Sequence, residues 1–129
     1  MYENRKTEGR DEAMLKAAFQ EEKFRHAAEL ERRMMEKAMT YFVEENRHTL
    51  SGLTTFRAKC AETERLNQIY KMYPSALFEN IRAWQNKKDY LLFEGARRIV
   101  PEKEFEETAR EGEKLLLELC KIYLINTPK

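Results

Sequence analysis

Residues 11–46 read DEAMLKAAFQEEKFRHAAELERRMMEKAMTYFVEEN. Neither glycine nor proline occurs in these 36 residues, and Ala, Glu, Lys, Arg, Met and Leu, which lose least on entering a helix, dominate them. Asp11 is of the type that caps a helix N-terminus, so the stretch predicts one long helix over 11–46. At about 100° per residue, Leu15, Phe19, Phe24, Ala27, Leu30, Met34, Ala38, Tyr41 and Phe42 fall on one broad arc, with Glu22, Glu29, Arg33 and Glu36 opposite. An arc of that width meets two neighbouring helices, which makes this helix the organising element of a bundle.

On its N-terminal side, residues 1–10 are polar, lack periodicity and hold Gly9, and they predict a flexible start. On its C-terminal side, His48-Thr-Leu-Ser-Gly52 breaks the pattern, and Gly52 suits a turn that needs positive φ. A second helix is expected over 54–72, with the stripe Phe56, Cys60, Thr63, Leu66, Ile69, Tyr70 and Tyr73, ended by Pro74. Ser75 is the expected cap of a third, with the stripe Leu77, Ile81, Trp84, Leu91, Leu92, Ala96 and Ile99. Lys88 falls inside that stripe, and the polar run over 85–89 is the place where the third helix either continues or breaks in two. Pro101 suits the first turn of a last helix, with Glu102, Glu104, Glu106 and Glu107 against its positive dipole end. Phe105, Ala109, Gly112, Leu116, Leu119, Cys120 and Tyr123 form the last stripe. The fold class is therefore all-α: a bundle of four helices, or five if the third breaks, in one domain over 11–129.

Composition agrees. The chain has 129 residues with only 4 Gly and 3 Pro, too few for the many turns of a β-rich fold. Its formal net charge is +1, so no global field draws it to nucleic acid or membrane. Only the segment 51–100 leans basic, by four charges, and there Arg82, Lys87, Lys88, Arg97 and Arg98 are the candidate nucleic-acid contacts. Two cysteines do not make a disulfide framework, and no signal peptide opens the chain, so a cytoplasmic protein with reduced thiols is expected. The most apolar stretch, 115–125, is too short and too charged to span a bilayer.

No catalytic residue, cofactor site or metal site is assigned. Glu45-x-x-His48 has the spacing of a carboxylate-bridged metal helix, but its second half is missing, since the only other histidine is His26. Cys60 and Cys120 lie on or beside apolar stripes and read as small buried hydrophobes, and Trp84 reads as a core anchor. No nucleophile elbow, phosphate loop or dinucleotide fingerprint is present, so an enzyme is not expected.

The length of the first helix is the unusual feature. Thirty-six residues at ~1.5 Å each reach about 54 Å, whereas a compact domain of this size is roughly 35–40 Å across. Part of the helix should overhang, carrying Leu15, Phe19 and Phe24, which water would not favour. The expected function is an intracellular helical interaction or regulatory module that binds a protein partner or itself, as a homodimer joined by an antiparallel coiled coil. The alternative is a small nucleic-acid-binding protein using the basic 51–100 segment.

Overall fold

The computed structural model describes residues 2–126, with side chains over 9–121. Four helices follow one another: α1 (Tyr2–Glu45), α2 (Phe56–Tyr70), α3 (Ala76–Gly95) and α4 (Glu102–Asn126). The all-α bundle is as expected, and α1 packs against each of the other three. Two expectations need correcting. Asp11 is interior to α1, which starts at Tyr2, and does not cap it; Glu, Arg and Lys, frequent over 2–10, are good helix formers. α3 runs unbroken through 86–89, so there are four helices and not five.

The connections explain where each helix stops. After Glu45 the chain enters a Schellman turn, in which the His48 N–H donates to the Val43 carbonyl at 3.0 Å and the Arg47 N–H to the Glu44 carbonyl at 3.0 Å. Arg47 holds φ 62°, where glycine is usual, and Gly52 takes the positive φ (89°) its turn needs. Thr55 caps α2 by accepting from the Ala58 N–H at 3.0 Å. α2 ends at Tyr70, before Pro74 is reached, because Lys71 turns left-handed. A buried amide then closes the corner: Asn67 Nδ2 donates to the Tyr73 carbonyl (3.0 Å), and the Tyr73 N–H returns to Asn67 Oδ1 (2.9 Å). Ser75 makes no side-chain cap bond.

The core is assembled around α1. Its stripe advances in alternating steps of four and three residues through Phe24, Ala28, Glu31, Met35, Ala38 and Phe42, the spacing of a coiled-coil seam. All but Glu31 are fully buried. Phe24 stacks on Phe105 of α4 at 4.8 Å, and Phe42 meets the edge of Tyr73, whose hydroxyl donates to the Leu119 carbonyl at 3.0 Å. The broad arc read from the sequence is thus rotated. Leu30 and Met34 face outward, whereas Met35, Met39 and Val43 are buried. Ile69, Tyr70 and Ile99, expected in stripes, are also exposed.

Trp84 is core, as expected, and its indole N–H donates to the Thr108 carbonyl of α4 at 3.0 Å. Gly112, on the α4 stripe, marks a close approach of helices. A Cβ there would stand 2.6 Å from Trp84 Nε1 and 2.5 Å from Glu31 Oε1, so α1, α3 and α4 converge on a position that has no room for a side chain.

Candidate interaction surface

Phe24 faces Phe105, near the start of α4, so N-terminal of about residue 20 α1 runs past the ends of helices α3 and α4 and lies beside residues 95–102 of their connection. Leu15 and Phe19 project from this part and are 60% and 67% exposed. Phe24, grouped with them in the sequence reading, is only 3% exposed and belongs to the core. The reason is register: Phe24 lies on the seam with Ala28 and Met35, while Leu15 and Phe19 lie nearly opposite it.

The seam does not stop where the bundle does. Continued toward the N-terminus in the same four-three steps from Phe24, it passes through Glu21, Ala17, Met14 and Arg10. An open groove of about 450 Å³ lies beside this extension, walled by Met14, Ala17 and Ala18 on one side and by residues 95–100 of the α3–α4 connection on the other. Met14 and Ile99, each 57% exposed, form its apolar lips. Arg10 and Arg97 stand on the rim without a carboxylate partner among the described residues, whereas Arg98 is held by Glu94 at 2.8 Å. Glu21 closes the far end over Gly95 and bonds Arg25 at 3.0 Å. Met14, Ala17 and Arg10 escape the arc argument because, at about 100° per residue, that arc runs from Leu15 round to Phe24 and Phe42 and stops short of them. The four-three spacing from Phe42 back to Arg10 is the signal that finds them.

The five candidate nucleic-acid contacts, Arg82, Lys87, Lys88, Arg97 and Arg98, each have a partner within their own chain. Arg82 is bonded to Glu64 of α2 at 2.5 Å, and Lys87 lies 3.9 Å from Glu104. Lys88 is buried, its ammonium 5.8 Å from the Trp84 ring centroid and 3.5 Å from Asp89, so its stem covers the indole and α3 tolerates it without a break. Arg97 lies over the Phe93 ring. Arg57 of α2 bonds Asn86 at 2.6 Å and pairs with Asp89 at 3.7 Å, tying down the polar run.

Among the described residues no three His, Cys, Asp or Glu are placed to hold a metal, and His48 lies beyond the end of α1, beside the Tyr70 ring. Burial pushes the Cys60 thiol up to about 11, which leaves it unreactive, and it also raises the half-buried Cys120. No helix among the described residues is long and apolar enough to cross a membrane. Comparison with known protein families, curated proteins and solved structures found no match.

Proposed function

We propose that this protein is a helical interaction module that engages another protein chain through the N-terminal third of α1. One observation carries the reading: α1 outruns the bundle that stabilises it, and the part left over holds Met14, Leu15 and Phe19, all more than half exposed. A projecting helix with apolar side chains on two sides gains little from its own domain, and a second helix laid along it removes that surface from water. The nucleic-acid reading has less support, because Arg82, Lys87, Lys88 and Arg98 each stand beside a carboxylate of their own chain.

Hydrogen exchange tests this directly. In the isolated monomer, amides over 11–20 should exchange much faster than those over 24–42, and they should become protected once the chain associates. Glutamate at Met14, Leu15 and Phe19 together should abolish association seen by light scattering and leave the melting temperature nearly unchanged. A monomer in which 11–20 are already as protected as 24–42 would show that the chain covers this surface itself, and the reading would fail.

A further inference from the structure

We infer that the seat beside the α1 overhang is filled by the overhang of a second copy of this chain, laid antiparallel across a two-fold axis so that Arg10 of each copy meets Glu21 of the other. This rests on the interaction-module reading and names its partner and register.

The warrant is self-complementarity. From Arg10 to Glu21 is eleven residues, three helical turns and about 17 Å, so both ends of the exposed stretch lie on one face. One end is positive, the other negative, and between them stand only Met14 and Ala17. Run antiparallel about a point between residues 15 and 16, the stretch sets Met14 against Ala17 and Arg10 against Glu21, each pairing occurring twice. A foreign helix has no need of a stripe that matches its own reverse, whereas a two-fold contact requires one. Run parallel in register, the same stripe would stack Arg10 on Arg10 and Glu21 on Glu21.

Space and charge agree with this. Small residues line the contact on both walls, Ala17 and Ala18 on α1 and Gly95 and Ala96 opposite, so a second helix approaches closely. Arg10 has no ion pair within the described chain, and Glu21, partly exposed at the groove, bonds one cation, Arg25, with both carboxylate oxygens near Gly95. The contact lies on the same four-three seam as the core of α1 and ends at Glu21, where Gly95 and then Phe105 of the chain itself take over.

Charge exchange tests the register. In sedimentation equilibrium at low salt, wild type should dimerise, while Arg10→Glu and Glu21→Arg should each weaken the dimer at least about tenfold by setting like charges together twice. An equimolar mixture of the two variants should recover a dimer near wild-type affinity, because both cross-pairs are then Glu with Arg. Should Glu21→Arg melt early through its contact with Gly95, Arg10 alone decides: Arg10→Lys must retain the dimer and Arg10→Glu must lose it. A wild-type chain that stays monomeric at high micromolar concentration overturns the proposal while leaving a different partner for the overhang. A wild-type dimer insensitive to Arg10→Glu but broken by glutamate at Leu15 and Phe19 overturns the register and places the contact on the outer face. If hydrogen exchange finds 11–20 covered in the monomer, the broader reading falls as well.

Discussion

Glu31 should make the protein less stable as pH rises from about 4.5 toward about 7. It sits on the α1 seam, half-buried, with Oε1 shielded from solvent and without a hydrogen-bond partner, over Gly112 and against the Trp84 indole. The indole proton is already given to Thr108, and Glu113 on α4 adds a like charge. Burial first, and Glu113 second, push the Glu31 carboxyl up to about 7 from 4.5. The folded chain therefore holds this proton more tightly than the unfolded chain does. Well below pH 4.5 both states keep it and nothing is lost. Between about 4.5 and 7 the unfolded state releases it first, so stability falls with rising pH and levels off above about 7. At ~1.4 kcal/mol per unit the ceiling is about 3 kcal/mol, which solvent screening at a half-buried site reduces to about 1–2 kcal/mol. Urea melts of wild type and Glu31→Gln at pH 5 and pH 8 isolate the effect, because carboxylates held low by arginine, such as Glu29 beside Arg32 and Glu62 beside Arg65, cancel between the two proteins. The glutamine variant should gain about 1–2 kcal/mol over wild type at pH 8 and close to nothing at pH 5. A difference that is the same at both pH values would refute the reasoning.

Gly112→Ala should lower stability by about 1–3 kcal/mol in chemical denaturation although alanine is the better helix former, because the new methyl overlaps Trp84 at 2.6 Å and Glu31 at 2.5 Å; a neutral or stabilising result would mean that α4 is not held this close. Trp84→Ala should cost about 3–5 kcal/mol and also remove the indole bond to the Thr108 carbonyl, measured as a lower urea midpoint with an unchanged slope. Arg47→Gly should raise the melting temperature, with a gain of up to about 1 kcal/mol, since it removes a side chain from left-handed backbone at the end of α1. No change in that melt would show that the Schellman turn relaxes without strain.

What the sequence made legible is what depends on local chemistry. The absence of Gly and Pro over 11–46 demands a long helix, and Pro74, Pro101 and Gly52 punctuate the rest. Gly112 on an apolar stripe signals close packing because only a neighbour's approach repays its flexibility. Phase is harder. With Leu15, Phe19, Leu30 and Met34 outward and Ala28, Met35, Met39 and Val43 inward, α1 carries apolar residues on nearly every side, and a search for the greasiest arc averages the two sets. Partners across the bundle set the phase, Phe105 against Phe24 above all, and such pairings are not local. Lys88 shows the same limit in reverse. In sequence it interrupts a stripe, yet three-dimensional neighbours, the Trp84 ring and Asp89, make burial of its stem acceptable.

Charges on the α1 seam divide by position in a way that links fold to association. Arg10 and Glu21 lie at or beyond the end of the bundle, where a polar seam residue costs little in the monomer and gives direction to a helix docking from outside. Glu31 lies within it, where ionisation opposes folding and no cation among the described residues bonds the buried oxygen. Between them, Phe24 to Phe42 carries the apolar contacts that hold the four helices together. Arg10 should therefore affect association with little effect on the melt, and Glu31 should affect the melt with little effect on association. Arg10→Glu and Glu31→Gln, compared in both assays, form a crossed pair: sensitivity of the dimer to Glu31→Gln, or of the monomer's melt to Arg10→Glu, would mean that overhang and bundle are one cooperative unit and that the division at Phe24 is misplaced.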